Sequence, residues 1–283
     1  MPLAVVTGAG GGIGGATARR LARDGYRLAL CDIDAAALTA ITGELGASVI
    51  VSEVVDVAAA DAVRNFATRV LEHGAPDVLV NNAGVGVAGP FVRTSTEDWQ
   101  WIVGVNLMGP VNLLHALLPS MIEAGRGHVV NVVSMLAYFA PPAVSPYVAT
   151  KYAMLGLSLS LRTELRQKGI RVSAVCPGLV NTNIVANSRV RTASDGPRRS
   201  VEALFKRGRD PARVADAIAG VLVRDRAVLP VFPEAWALWY AGRISPDVGT
   251  ALGRMVLRRV VGREGVRDER DAMSATAPSR STR

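Results

Sequence analysis

Apolar residues along this chain fall into short runs, and the segments between the runs have helical periodicity. The runs predict strands at 3–7, 27–31, 48–55, 77–80, 128–133, 171–176 and 227–229. They lack two-residue alternation, as expected when helices cover both faces of a sheet. The segments between them predict helices at 13–24, 35–45, 59–73, 96–124, 147–167 and 211–223. This repeated order predicts an α/β fold with a single doubly wound parallel sheet and helices on both faces.

The longest predicted helix has clear end signals. Thr96, Glu97 and Asp98 supply a cap and acidic residues at its first turn, where the helix dipole favours them. Pro110 falls in its interior, so we expect a kink there.

The last third of the chain departs from the strand–helix alternation. Residues 179–209 have no periodicity and are predicted to be irregular. A domain of residues 1–230 is therefore followed by a helical extension, 231–262, with Trp236, Trp239 and Tyr240 in its first half and Arg254, Arg258 and Arg259 on a predicted helix. Residues 263–283 are polar and predicted to be disordered.

Composition narrows the functional classes. Of 283 residues, 49% are hydrophobic, which favours a globular fold. No apolar run reaches about 18 residues, and a strand follows Met1 directly, so neither a spanning helix nor a cleaved leader is expected. Cys31 and Cys176 lie in apolar runs, which is typical of core thiols in a reducing cytoplasm. The three histidines lack ligand spacing, so no metal site is predicted.

The net charge of +8 is concentrated between residues 189 and 213, which contain eight basic and three acidic residues. Such a stretch binds nucleic acid or anionic lipid, or is a solvated surface. It lacks interleaved aromatic residues and a recognition helix, so nucleic-acid binding is not favoured.

A glycine-rich turn lies between the first predicted strand and helix. Gly8, Gly12 and Gly14 allow close approach of a pyrophosphate to the backbone at a helix N-terminus. Asp32 ends the second strand, 20 residues past Gly12, where a carboxylate accepts hydrogen bonds from ribose hydroxyls. It would repel a 2′-phosphate by on the order of several kcal/mol. No basic residue lies at 9–18 or 32–36, so NAD is favoured over NADP.

Tyr147 and Lys151 share one face of the helix that follows the strand ending before Ser134. An ammonium about 4 Å from the phenol, at an effective dielectric of about 20, favours the phenolate by roughly 4 kcal/mol, or about three pKa units. The pair is thus expected to lower the pKa of Tyr147 in a partly dry cleft. An isolated pair with this spacing is usually an ordinary helix start, so the other motifs decide its meaning.

Six motifs, in order, resemble those of the short-chain dehydrogenase/reductase family over about residues 3–230. They are Thr7-Gly8-x-x-x-Gly12-Ile13-Gly14, Asp56-Val57, Asn81-Asn82-Ala83-Gly84, Asn106, Ser134 with Tyr147-x-x-x-Lys151, and Pro177-Gly178-x-Val180-x-Thr182. The resemblance implies a Rossmann-type domain that binds NAD through Gly8, Gly12, Ile13, Gly14, Asp32, Asp56, Val57, Asn82, Ala83, Gly84, Tyr147, Lys151, Pro177, Gly178, Val180 and Thr182.

The resemblance also implies an oxidoreductase. Tyr147 is expected to exchange the hydroxyl proton, Lys151 to bind the nicotinamide ribose and stabilise the phenolate, and Ser134 to orient the substrate oxygen. Asn106 is expected to hold a water that links Lys151 to solvent. By analogy, residues of about 179–210 form a mobile substrate lid. A non-catalytic NAD-binding sensor or scaffold is the alternative.

The substrate side is predicted to be apolar. Leu136, Phe139, Pro141 and Leu179 are expected to line it, which favours a hydrophobic secondary alcohol or ketone. The family resemblance implies a homodimer or homotetramer. The added residues after 230 put the usual tetramer packing in doubt, and they either pack on the protein, which we favour, or touch a membrane surface.

Overall fold

The computed structural model describes residues 1–191, 196–245, 247–248 and 251. The predicted helix with Arg254, Arg258 and Arg259 and the predicted tail at 263–283 lie outside the described residues. Within the described part, nine strands are assigned: β1 (Leu3–Thr7), β2 (Arg27–Asp32), β3 (Val49–Val54), β4 (Val78–Asn81), β5 (Val87–Ala88), β6 (Gly127–Val132), β7 (Ile170–Pro177), β8 (Arg189–Val190) and β9 (Val228–Val231).

The helices of the same described part match the predicted segments, except that the helix predicted at 96–124 is divided and a further helix falls in the stretch predicted to be irregular. They are α1 (Gly12–Arg23), α2 (Ala35–Leu45), α3 (Ala60–Leu71), α4 (Thr96–Val103), α5 (Gly109–Glu123), α6 (Ser145–Leu165), α7 (Gly196–Lys206), α8 (Pro211–Arg224) and α9 (Pro233–Ile244).

Seven strands form one parallel sheet in the order β3-β2-β1-β4-β6-β7-β9. The order reverses between β1 and β4, so a crevice opens at their carboxyl ends. Every residue of β1 and β4 is buried, which explains why neither strand alternates apolar with polar residues. The predicted doubly wound parallel sheet is confirmed.

Helices cover both faces of the sheet. On one face, Phe66 of α3, Leu113 and Leu117 of α5 and Leu165 of α6 pack into one buried cluster. On the other face, α1, α2 and α8 supply a second cluster. These two cores hold the strands in place, so the carboxyl edge of the sheet is the edge from which polar loops can reach a ligand.

The helix predicted at 96–124 is divided. Ser95, not Thr96, is the N-cap: its Oγ accepts a hydrogen bond from the backbone N–H of Asp98, whose carboxylate accepts one from the N–H of Ser95. A π-helical turn at Gly104–Met108 then separates α4 from α5. Pro110 lies in the first turn of α5, where a proline costs little.

Thr96–Glu123 is long and apolar enough to cross a membrane by length and composition alone. In the fold, Leu113, Leu117 and Met121 of this segment are instead buried in the core between α3 and the sheet. The buried apolar residues of α5 therefore serve internal packing.

Residues 179–209, predicted to be irregular, contain β8 and α7. The prediction missed β8 because a two-residue strand has no periodicity to detect. It pairs in parallel with β5, Val87 opposite Arg189 and Ala88 opposite Val190, in a small sheet beside the main one.

The connection from α6 to β7 gives a fold prediction. Gly169 has φ +75°, and a Cβ there would lie 2.0 Å from the carbonyl oxygen of Gly125. Gly169→Ala should therefore destabilise the chain by about 1–3 kcal/mol. Gly43→Ala, in α2 with open space around it, should stabilise by roughly 0.5–1 kcal/mol.

Thermal and urea unfolding of the two variants measure both effects. Equal stability of Gly169→Ala and the parent protein would contradict the predicted clash.

Candidate active site

The end of β2 is tied to the glycine loop through Asp32. One carboxylate oxygen accepts the N–H of Gly10 at 2.8 Å, and the other accepts the N–H of Asp34 at 2.9 Å. Each oxygen keeps a further lone pair, and the side chain is half-buried. The carboxylate is therefore fixed at the crevice with acceptor capacity to spare, as the sequence predicts for a ribose-binding acid.

Glycine is required in the loop partly for its own packing. A Cβ on Gly14 would lie 2.0 Å from the carbonyl oxygen of Gly8, and one on Gly8 would lie 2.9 Å from the Cα of Ala83. Gly8 and Gly12 have φ of +64° and +53°. The N-cap of α1 is Gly11, which has no side chain, so the first N–H groups of the helix face outward without a cap. Such a helix N-terminus can hold a phosphate.

Thr7, a residue outside the predicted site, joins β1 to β4. Its hydroxyl oxygen accepts the N–H groups of Asn82 and Ala83, both at 3.0 Å, and donates to Val80 O at 3.5 Å. Asn82 Nδ2 donates back to the carbonyls of Thr7 and Gly8. The only sequence signal for this role is a hydroxyl residue directly before the first glycine of the loop.

Asn106 lies in the π-helical turn and is buried. Its Oδ1 accepts the N–H of Val85 at 2.8 Å, and its Nδ2 donates to Val85 O at 2.9 Å and to Thr150 Oγ1 at 3.2 Å. Both ends of the amide are thus engaged with protein groups. Asn106 holds the loop after β4 against α6, a bracing role that its sequence position alone did not reveal.

Ser134, Tyr147 and Lys151 meet at the ends of β6 and α6. The Ser134 hydroxyl accepts the N–H of Leu136 at 3.1 Å and lies close enough to Tyr147 to lower the pKa of that phenol. Lys151 is 5% exposed, donates to Val132 O at 3.2 Å, and lies 5.5 Å from the centroid of the Tyr147 ring. A Cβ on Gly84 would lie 3.4 Å from Asn106 Oδ1 and 3.8 Å from Lys151 Nζ, so all four predicted catalytic residues belong to one site.

The pKa of Tyr147 differs in direction from the sequence prediction. Burial raises the pKa of Tyr147 to about 12, and the hydrogen bond from Ser134 lowers it by less. Burial likewise lowers the pKa of Lys151 to about 8. The prediction counted the attraction between the two charges but not the cost of removing each from water, which dominates here.

Asp56 and Val57, which are predicted to bind the cofactor, differ in exposure: one is at the surface and the other is in the core. Asp56 is exposed, and its Oδ1 accepts the N–H of Ala58. The Val57 side chain is buried against Gly109, while its carbonyl accepts from Asn112. Val57 can therefore meet a ligand only through its backbone.

The loop after β7 reaches back to the glycine loop. The methyl group of Thr182 would lie 3.2 Å from a Cβ on Gly12, beside a cavity of about 330 Å³ that both residues line. Pro177 and Val180 are buried, and Val180 packs in the second core. Ile13 packs against the same core. Of the predicted cofactor-binding residues in this loop, Gly178 and Thr182 are the ones that are partly exposed.

Helix α9, the described helix of the extension, packs on both loops that border the predicted substrate side. Glu234 of α9 would lie 2.8 Å from a Cβ on Gly178. The Tyr138 hydroxyl donates to Ala235 O at 3.1 Å, and the Tyr138 ring meets Trp239 edge-on at 5.1 Å. Among the predicted substrate residues, Phe139 is buried, whereas the others, Leu136, Pro141 and Leu179, are partly exposed.

Comparison with known proteins finds relatives in sequence and in fold. The sequence model described as short chain dehydrogenase matches residues 2–193. The chain is 39% identical over 264 residues to the probable oxidoreductase EphD of Mycobacterium tuberculosis, covering 89% of this chain and 45% of EphD. It therefore spans about half the length of that relative. It is 34% identical to the putative oxidoreductase SadH of the same organism, covering 90% of this chain and 93% of SadH.

A solved structure shares the fold closely. It is a short chain dehydrogenase/reductase from Burkholderia phymatum in complex with NAD, with a TM-score of 0.81, 30% identity, and coverage of 88% of this chain and 95% of that one. Sequence match and fold agree, and the chain belongs to the short-chain dehydrogenase/reductase family of oxidoreductases.

Proposed function

We propose that this protein transfers a hydride between NAD and a hydrophobic secondary alcohol or the corresponding ketone. The observation that supports this most is the convergence of Asn106, Ser134, Tyr147 and Lys151 beside the glycine loop. A bound nicotinamide ring would supply the hydride acceptor or donor. The chain's own groups bind, orient and move the proton.

The hydroxyl of Ser134 acts on the pKa of Tyr147, and both hydroxyls would face the substrate oxygen. In ketone reduction, the Tyr147 phenol donates its proton to that oxygen as the hydride reaches the carbonyl carbon. In alcohol oxidation, the phenolate accepts the hydroxyl proton. Lys151, held by Val132 O, stabilises the phenolate, and Asn106 keeps the Val85 loop in register with α6.

The preference for NAD over NADP rests on Asp32. Its carboxylate is held by two backbone N–H groups at the crevice. A ribose 2′-hydroxyl can donate to this carboxylate, whereas a 2′-phosphate would be repelled by it.

Asp32→Asn keeps the shape and an acceptor oxygen but removes the charge, so it should reduce the NAD preference in kcat/KM about tenfold or more. Asp34→Asn is the matched control, because Asp34 caps α2 and asparagine caps equally well. Turnover with each cofactor measures the ratio. A parent protein that prefers NADP would refute the assignment.

The substrate class rests on the character of the site walls. Leu136, Pro141 and Leu179, which are predicted to line the substrate side, are apolar and partly exposed. Such walls favour apolar carbon chains over polyols or acids.

We further propose a homodimer in a reducing cytoplasm. Tyr152 and Leu159 of α6 are 45% and 38% exposed, and Met108 is 43% exposed, so large side chains face outward from the core helices. The proposed reducing compartment is supported by the two cysteines, which are both free and buried. A monomer in sedimentation velocity at micromolar concentration would contradict the dimer.

Tyr147→Phe should lower turnover by about a hundredfold or more while NAD binding persists, since only the proton-exchanging hydroxyl is lost. A screen of hydrophobic alcohols and ketones, followed by NADH absorbance, identifies the substrate for this comparison. Tyr26→Phe, at the amino end of β2, is the control and should retain full rates.

Retained turnover in Tyr147→Phe would refute the mechanism. A protein that binds NAD but turns over none of the substrates would instead favour the sensor or scaffold alternative.

The raised pKa of Tyr147 predicts different pH profiles for reduction and oxidation. Reduction requires the protonated phenol, and burial raises its pKa to about 12, so the reduction rate should be flat from pH about 6 to 9. Oxidation requires the phenolate and should rise with pH over the same range. Initial rates in both directions test this, and a reduction rate that falls across the range would contradict it.

A further inference from the structure

A segment that we call the strap, residues 183–191, crosses from the loop after β7 to the loop after β4. Its end forms the parallel pair β5–β8, in which Arg189 N donates to Gly86 O at 3.0 Å and Arg191 N donates to Ala88 O at 2.7 Å. A Cβ on Gly86 would lie 2.3 Å from Ser188 Oγ. The close packing shows that the strap is seated on this loop.

The strap is fastened to α4 by a buried carboxylate. Asp98 is 0% exposed, and Arg191 binds it in bidentate geometry, Nε to Oδ2 at 2.8 Å and NH2 to Oδ1 at 2.7 Å. Arg189 adds a bond to Oδ1 at 3.2 Å and stacks on Trp101 at 4.1 Å. Bidentate arginine–carboxylate pairs are among the strongest and most directional of protein hydrogen bonds.

The two arginines are therefore engaged in the fold. By sequence they belong to a basic stretch able to meet an anion, but Asp98 neutralises one of their two positive charges. Asp98 also accepts a hydrogen bond from the backbone N–H of Ser95, so both of its carboxylate oxygens have partners. A buried carboxylate that lost these arginines would be left without its counter-charges.

We call the contacts of Asp98 with Arg189 and Arg191 the clamp. Three segments of the predicted substrate side meet there. The β5 loop continues from Val85, which holds Asn106, and Gly89 N donates to Ala143 O in the loop that leads to Tyr147. The strap itself continues from Thr182. A shift of the strap would thus displace the segments that border Ser134 and Tyr147, the two residues predicted to contact the substrate oxygen.

We propose that Asp98 is a positioning residue for the substrate, acting through Arg189 and Arg191. It fixes the strap on β5 and thereby sets the distance between the substrate-side walls. The proposal rests on the function proposed above for its kinetic readout, while its structural readout is independent of that function.

Asp98→Asn and Arg191→Gln should each raise KM for the alcohol or ketone about tenfold, with kcat changed less than about threefold, because substrate binding is lost rather than chemistry. The Kd for NAD should stay unchanged. The double variant should resemble the single ones, since the two residues act as one unit. Arg191→Lys keeps the positive charge but lacks the paired N–H donors of the guanidinium, so it should recover part of the loss.

Two controls separate the clamp from helix capping. Asp61→Asn makes the same substitution in the first turn of α3, next to an exposed arginine, and should change neither constant. Ser95→Ala removes the cap hydroxyl without touching either arginine, and should loosen only the start of α4.

Hydrogen–deuterium exchange with mass spectrometry provides the structural readout. Peptides covering 86–89 and 184–191 should exchange faster in Asp98→Asn and Arg191→Gln than in the parent protein, and at parent rates in Asp61→Asn. If Asp98→Asn does not fold, Arg191→Gln decides, because the Arg191 side chain is 45% exposed and its loss leaves no large cavity.

The outcomes are distinguishable. Unchanged exchange in these peptides would overturn the clamp, whatever the kinetics. Faster exchange with unchanged KM would overturn the substrate-positioning role. Absence of any turnover in the parent protein would refute the proposed function, and exchange would still decide whether the clamp exists.

Discussion

A parallel sheet that is buried on both faces leaves its carboxyl edge as the place where the chain's polar groups gather. The side chains of β1 and β4 are wholly buried, so the proposed chemistry falls to residues at and beyond the strand ends: the glycine loop, Asp32, the Asn82–Gly84 turn and Ser134. The free carbonyls at the strand ends also matter. Val132 O holds the buried ammonium of Lys151, and the carbonyls of Thr7 and Gly8 hold Asn82. The site thus depends on backbone groups that the sheet leaves unpaired at this edge.

Much of this was predictable from sequence, because it depends on local pattern. Continuous apolar runs located all seven strands of the main sheet, and motif spacing selected four residues that the fold brings to one site. The features that the pattern missed depend on distance in space. The residues joined at Asp98 are 91 and 93 positions apart in sequence, and no periodicity relates them. Thr7 was missed because its role depends on a turn 75 residues away.

The pKa of Tyr147 shows a different limit. A charge–charge distance can be guessed from helical spacing, but the solvent exposure of each group cannot. The same burial that strengthens the attraction between phenolate and ammonium also penalises each ion alone. Since Lys151 is nearly inaccessible to water, its own charge is costly, and the sequence offered no means to weigh this against the attraction.

The contacts of α9 extend the boundary of the functional unit beyond the last strand. The family match ends at residue 193, yet Glu234 packs on Gly178 and Ala235 O accepts the Tyr138 hydroxyl. A gene shortened after β9 would therefore lack part of the enclosure around the site while keeping every recognised motif. Conversely, exchanging this helix between related enzymes would change the proposed substrate side without altering the proposed proton-transfer residues.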